Sequence, residues 1–168
     1  VVAAGQKLTR TDTYRKKVRV FGVPAIPILF APGFYLALPF IINTAIKRAI
    51  EEFKPDIVHI QMHFFIARAA LRMARKRGIP VVATNHFMPE NLTHYLMLPA
   101  PITRLIDRAM WWDAARILRK AHGLSAPTRT AVNLMQPQLD KEMLPISNGI
   151  DLKRFNPQND GAAAKEPY

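Results

Sequence analysis

Short β-branched runs alternate with segments of helical periodicity along most of this chain. The predicted strands are Val1–Ala4, Arg19–Val23, Asp56–Gln61, Pro80–Thr84, Leu124–Ala126 and Glu142–Ile146. The predicted helices are Asn43–Phe53, His63–Arg77, Ile102–Ala121 and Thr128–Met135. Strands that are separated by helices form parallel sheets with right-handed crossovers. The sequence therefore predicts an α/β domain with a mostly parallel sheet.

Composition limits the class of protein further. The chain has 168 residues, a formal net charge of +12, 49% hydrophobic residues and no cysteine. Without cysteine there is no disulfide framework, zinc finger, iron–sulfur centre or thiol nucleophile. The apolar content is too high for a disordered basic tail. The charge predicts an anionic neighbour, which nucleic acid, a phosphorylated ligand or a lipid surface would each satisfy.

The stretch from Val20 to Ile46 carries no charged side chain and is long enough to cross a bilayer. Four prolines interrupt it, and each proline inside a helix costs about 3 kcal/mol. We therefore expect a strand followed by an apolar, proline-rich loop rather than a spanning helix. A loop that dips into a membrane interface is the alternative, because it would carry Phe30, Phe34, Tyr35, Leu36, Leu38 and Phe40.

Polar residues follow three of the predicted strands. His63 comes after Asp56–Gln61, His86 follows Pro80–Thr84, and Asn148-Gly149 follows the last strand. Ligands of parallel α/β sheets collect at the carboxyl ends of the strands. The topology thus predicts one cleft bordered by these residues.

Several common site motifs are missing. The sequence has no G-x-G-x-x-G, no P-loop and no G-x-S-x-G elbow. A metal site built from His59, His63, His86 and His94 would have Glu90 as its one nearby acid, so no metal site is expected.

Basic residues form stripes on two predicted helices. Arg68, Arg72, Arg75 and Lys76 share one face of the His63–Arg77 helix, which contains no acidic residue. Arg104, Arg108 and Trp111 share a face of the long helix. A solvated surface would explain such stripes, but solvated faces usually mix charges of both signs. Arginine beside tryptophan favours an anionic membrane interface. Nucleic acid would suit the same charges, although no nucleic-acid-binding motif accompanies them.

Three segments together carry a family resemblance. They are PDIVHIQMHFFIARAALRMARKRGIPVVATNHFMPENLTHYL, AHGLSAPTRTAVNLM and LPISNGIDLKRFNP. From Val18 to Pro157 the chain resembles the N-terminal domain of GT-B glycosyltransferases of family 4. It is most similar to bacterial enzymes that add sugars to diacylglycerol or phosphatidylinositol-type lipids. The most specific piece is Asn148-Gly149-Ile150-Asp151 followed by Arg154-Phe155-Asn156-Pro157.

The resemblance implies a Rossmann-like, three-layer domain and a retaining sugar transfer from a UDP- or GDP-linked donor. It implies no cofactor and no essential metal. By matching position, His86 would face the donor sugar as the catalytic histidine, while His63, Asn148 and Gly149 would border the donor cleft. Glu90 and His94 would meet the acceptor.

The resemblance also implies an organisation of the whole enzyme. Residues 1–157 would form the acceptor-side domain without its first strand and glycine-rich loop. Residues 158–168 would lead towards a C-terminal donor-binding domain that lies outside the chain, so the isolated chain is expected to be inactive.

The expected function is sugar transfer to a lipid at the inner face of the cell membrane, by a cytoplasmic, peripherally bound enzyme. The alternatives are the same family acting on a soluble or polyisoprenyl-linked acceptor, and a non-enzymatic, basic α/β module that binds nucleic acid.

Overall fold

A computed structural model describes residues 2–5, 20–27, 35–93, 98–153, 155–156 and 158. Its first sheet has three strands in the order β1 (Val2–Gly5), β2 (Phe21–Pro27) and β3 (Tyr35–Ala37). Strand β1 runs parallel to β2, and β3 runs antiparallel to it. The strand expected at Val1–Ala4 is confirmed at Val2–Gly5.

The proline-rich segment after Val23 was expected to be a loop, and this expectation was wrong in part. Strand β2 continues to Pro27, because β1 pairs with it only as far as Pro24 and β3 pairs with it from Ala25 onwards. Pro24 lies at the last described pair with β1 and Pro27 at the last described pair with β3, and ladder ends of this kind tolerate a residue without an N–H. Phe30 and Phe34 lie outside the described residues.

The second sheet is entirely parallel. Its strands are β4 (Val58–Ile60), β5 (Val81–Thr84), β6 (Gly123–Ala126) and β7 (Leu144–Pro145), in that order across the sheet. Every neighbouring pair is parallel, as the alternation of strands and helices predicted. The carboxyl ends of all four strands therefore lie along one edge, called the carboxyl edge below.

Helices connect the strands. They are α1 (Pro39–Phe53), α2 (Phe65–Lys76), α3 (Glu90–Thr93), α4 (Ala100–Leu118) and α5 (Arg129–Met135). Helix α1 begins a turn earlier than predicted, since Pro39 has a suitable φ for the first helical position and needs no N–H partner there. Gly78, with φ of +69°, follows the end of α2 as expected. Helix α3 was not predicted.

One apolar core joins the two sheets. Ile42 and Ile46 of α1 are buried against alanines of α2, and Val81 and Ala83 of β5 lie in the same cluster. Alanines such as Ala74 allow the helices and the sheet to approach closely. Within the described residues, none of the helices combines the length and the apolarity needed to cross a bilayer. The mostly parallel α/β architecture agrees with a Rossmann-like GT-B N-terminal domain.

Candidate active site at the carboxyl edge

The structure places the predicted cleft residues after strands whose ends share the carboxyl edge. His63 follows β4, His86 follows β5, and Asn148 and Gly149 follow β7. His63 is 1% exposed, whereas the other three residues are exposed. The edge thus combines one buried imidazole with polar groups that are open to a ligand.

A tight turn after β5 presents His86 to solvent. Asn85 is buried, and its backbone N–H donates to Ser125 O at 2.9 Å. Its side chain donates to Phe87 O at 3.0 Å and accepts from Phe87 N at 3.4 Å. The side chain of Asn85 thus bonds to the backbone of the residue after His86. This closes the turn and leaves His86 outside the core.

His63 lies in an apolar pocket of aromatic rings. Its ring centroid is 4.3 Å from that of Phe64 and 5.4 Å from that of Phe87. Its Nδ1 has no hydrogen-bond partner within the described part of the chain. Burial is the main cause that lowers the pKa of His63 to about 4. The negative charge of Asp113 acts to raise this pKa, and the positive charge of Arg68 acts to lower it. His63 is therefore neutral at physiological pH.

An ion pair joins the start of α2 to α4 beside this histidine. Arg68 donates from Nε to His63 O at 2.8 Å and from Nη2 to Asp113 Oδ2. Both side chains are about 70% buried, at 30% and 26% exposed. Arg68 therefore does not belong to the exposed basic stripe that its spacing predicted, because its counter-charge comes from a different helix.

The short helix α3 is attached to α4 by two side-chain hydrogen bonds. Trp111 Nε1 donates to Glu90 Oε1 at 2.8 Å, and Thr93 Oγ1 donates to Asp107 Oδ1 at 2.8 Å. Glu90 and Trp111 were predicted for different surfaces, and the structure brings them together. His94, the other predicted acceptor-side residue, lies outside the described residues.

A chain of three polar side chains crosses the parallel sheet. His59 Nε2 lies 2.7 Å from Thr84 Oγ1, which lies 2.8 Å from Ser125 Oγ. Thr84 and Ser125 are buried, and His59 is exposed. These contacts satisfy the two buried hydroxyls and hold the ends of β5 and β6 in register. The part of the chain that the structure describes contains no group of three metal-ligand side chains.

The exposed surface of α4 is both apolar and basic. Arg104 and Arg108 are exposed as predicted, but Trp111 is half-buried, and Trp112 is the exposed tryptophan at 64%. Leu105 is 69% exposed on the same side of the helix. The sequence carried a signal for this face in the apolar residues at 102, 105, 109 and 112, which recur at helical spacing. We call residues 102, 105, 108 and 112 the α4 face.

The basic stripe on α2 is exposed at Arg72, Arg75 and Lys76. It is less uniform in charge than the helix sequence suggested, because Glu51 of α1 lies 3.4 Å from the guanidinium of Arg77. Acids on neighbouring elements thus compensate part of the charge of α2.

The glycosyltransferase family 4 model matches residues 1–154 of the chain. The chain belongs to glycosyltransferase family 4. This match confirms the family resemblance that the three sequence segments indicated. The roles assigned to the histidines, Asn148 and Gly149 of this family 4 domain stay predictions.

Two curated relatives resemble this family 4 domain. The alpha-monoglucosyldiacylglycerol synthase of Acholeplasma laidlawii is 30% identical over 151 residues, which cover 86% of this chain and 37% of that relative. The GDP-mannose-dependent alpha-mannosyltransferase of Mycobacterium tuberculosis (strain CDC 1551 / Oshkosh) is 24% identical over 148 residues, which cover 88% and 37%. The chain thus spans little more than a third of the length of each relative.

Proposed function

We propose that the complete gene product transfers a sugar, with retention at the anomeric carbon, from a nucleotide-linked donor to a lipid acceptor at a membrane surface. The observation that carries this proposal is the family 4 match over residues 1–154. The name of the Acholeplasma relative, a monoglucosyldiacylglycerol synthase, supports a diacylglycerol-type acceptor. The name of the mannosyltransferase supports a GDP-linked donor as the alternative to a UDP-linked one.

His86 is the proposed catalytic residue. It is exposed directly after β5, where an imidazole N–H donates a hydrogen bond to a donor phosphate oxygen or sugar hydroxyl. The bond from the anomeric carbon to that phosphate oxygen breaks, and a bond to the acceptor oxygen forms. The proton of the acceptor hydroxyl passes to the departing phosphate, so atoms and charge balance.

The other predicted residues line the same edge in this proposal. Asn148 and Gly149 are exposed after β7 and border the donor, while Glu90 approaches the acceptor from α3. His63 is neutral and buried, so it shapes the floor of the cleft and supplies no positive charge. We propose no metal or other cofactor for this domain, and we expect residues outside this chain to make the remaining donor contacts.

The α4 face is the proposed membrane contact. Leu105 and Trp112 present apolar surface, Arg108 lies beside them, and Arg116 has its guanidinium carbon 5.4 Å from the centre of the Trp112 ring. Exposed apolar side chains among cations suit the interface of an anionic bilayer. We propose that the enzyme binds peripherally to the inner face of the cell membrane through this face.

A vesicle-binding measurement tests the membrane part. Leu105→Ser is expected to weaken binding to vesicles of phosphatidylcholine with phosphatidylglycerol about tenfold, because a buried leucine contributes about 1.5 kcal/mol. Leu134→Ser is the matched control, since Leu134 is a half-exposed leucine on α5. Equal binding by both variants, or equal binding of the unmodified chain to pure phosphatidylcholine, would refute the membrane contact.

A soluble or polyisoprenyl-linked acceptor is the second candidate, and the name of the mannosyltransferase, which mentions no lipid, keeps it open. An acceptor screen with the complete gene product separates the two candidates. Transfer to diacylglycerol but not to soluble sugars supports the first, and the reverse result supports the second.

A further inference from the structure

A groove of about 380 Å³ lies between α1 and α2, away from the carboxyl edge. It is lined by Asn43, Lys47, Arg72, Met73, Lys76 and Arg77. At 1.5 Å per residue, Arg72 and Lys76 lie about 10 Å and about 16 Å along α2 from its start at the carboxyl edge. The groove therefore lies nearer the opposite end of the sheet from His86.

The lining of this groove is strongly basic. Among the described residues, its compensating acid is Glu51, whose Oε1 lies 3.9 Å from Lys47 Nζ and 3.4 Å from Arg77 Nη2. Arg72 donates to the neutral amide of Asn43 at 2.8 Å, so its charge remains uncompensated. Lys76 has no carboxylate partner within the described residues. Four cations against one acid leave an excess of positive charge in the groove.

The basic lining suits an anionic oxygen ligand such as a phosphate group. The hydrogen bond to Asn43 orients the guanidinium of Arg72, whose planar fork binds two oxygens of one phosphate. Lys76 follows Arg72 by four residues and so lies beside it on the same face of α2. The volume is near the lower end of the range for ligand pockets.

We infer that this groove is a binding site for a phosphate group, carried either by a small soluble molecule or by an anionic lipid headgroup. The site is independent of sugar transfer, because its residues lie on the helices and not at the carboxyl edge. It also differs from the proposed membrane contact on α4, which needs no pocket.

The first test measures the melting temperature of the chain against inorganic phosphate, with chloride added to keep the ionic strength constant. We expect a saturable rise in melting temperature. The double variant Arg72→Gln, Lys76→Gln should weaken phosphate binding at least tenfold. The matched double variant Arg104→Gln, Arg129→Gln removes the same charge from exposed positions outside the α4 face and should stay within twofold.

A second variant separates weaker phosphate binding from loss of folding. Asn43→Asp places a carboxylate 2.8 Å from Arg72 without removing a cation, so it should weaken phosphate binding while the protein stays folded. The inference is overturned if the unmodified chain shows no saturable response, or if the matched double variant loses as much affinity as the groove variants.

Two further probes identify the source of the phosphate. Glycerol 3-phosphate represents a soluble ligand, and phosphatidylcholine vesicles with 10% phosphatidate represent a headgroup. Groove-dependent binding to glycerol 3-phosphate alone assigns a soluble ligand, and groove-dependent vesicle binding assigns a lipid. Binding of both probes with no effect of the groove variants contradicts the site.

Discussion

The indole N–H of Trp111 donates to the carboxylate of Glu90 across a distance of 2.8 Å, and this bond connects the loop after β5 to α4. Through it, the helix that carries the proposed membrane contact is attached to the loop that carries His86 and Glu90. A lipid acceptor arriving along α4 would reach the carboxyl edge beside this bond.

Removing the indole donor should loosen this connection. Trp111→Phe keeps an aromatic ring but loses the N–H, so the free energy of unfolding should fall by about 1 kcal/mol. Trp112→Phe is the control, because Trp112 is exposed and should change the stability by less than about 0.5 kcal/mol. Urea unfolding measures both, and equal losses would contradict the role of the hydrogen bond.

Removing the hydroxyl of Thr84, the central group of the polar chain across the sheet, should lower the free energy of unfolding. Thr84→Val has almost the same shape but leaves the buried Ser125 hydroxyl without its side-chain partner, which should cost about 1–3 kcal/mol of stability. Thr130→Val, on the exposed side of α5, should stay within about 0.5 kcal/mol. A neutral Thr84→Val variant would show that the contact contributes nothing.

His63 predicts a dependence of stability on acid pH. Its folded-state pKa of about 4 lies below the ordinary 6.5, so the unfolded state binds more protons between those values and stability falls as the pH falls. From pH 7.5 to pH 5 this loss should reach about 2 kcal/mol. His63→Leu removes the titrating group, so this variant should lose about 2 kcal/mol less stability than the unmodified protein between pH 7.5 and pH 5. Parallel pH profiles for the two proteins would contradict the buried, neutral imidazole.

The ion pair between α2 and α4 should be more strongly coupled than a surface pair. A double-mutant cycle with Arg68→Gln and Asp113→Asn should give a coupling free energy above about 1 kcal/mol, since both groups are largely buried. The same cycle on Arg48 and Glu52, a more exposed pair within α1, should give about 0.3–0.5 kcal/mol. Comparable coupling free energies for the two pairs would contradict the structural role of Arg68.

Local periodicity was enough to predict the parallel sheet and its connecting helices other than α3. Apolar runs such as Asp56–Gln61 and capping residues such as Thr128 act over a few neighbouring positions, so the sequence displays them directly. Thr128 indeed accepts a hydrogen bond from Ala131 N at 3.1 Å at the start of α5. Strand β3 was missed because it forms by pairing with β2, and its proline-rich surroundings carry no strand period.

The candidate site was predictable in part for the same reason. Topology alone brings the positions after β4, β5 and β7 to one edge, so the location of His86 needed no long-range information. The partners of Arg68 and Trp111 lie 45 and 21 residues away in the chain, and no helical spacing reveals them. The sequence likewise does not reveal that Trp112 is exposed and Trp111 is half-buried, because this difference depends on packing against α3.

His86 is proposed to take part in sugar transfer at the carboxyl edge. The most direct measurement is transfer from UDP-glucose and GDP-mannose to diacylglycerol in mixed vesicles, using the complete gene product and its His86→Ala variant. The control is His122→Asn at the opposite edge, which keeps an acceptor for the N–H of Val81, now bonded to His122 Nδ1 at 3.0 Å. We predict a loss of about 10²–10⁴-fold for His86→Ala and activity within about twofold for the control. Full activity in folded His86→Ala would contradict this role of His86.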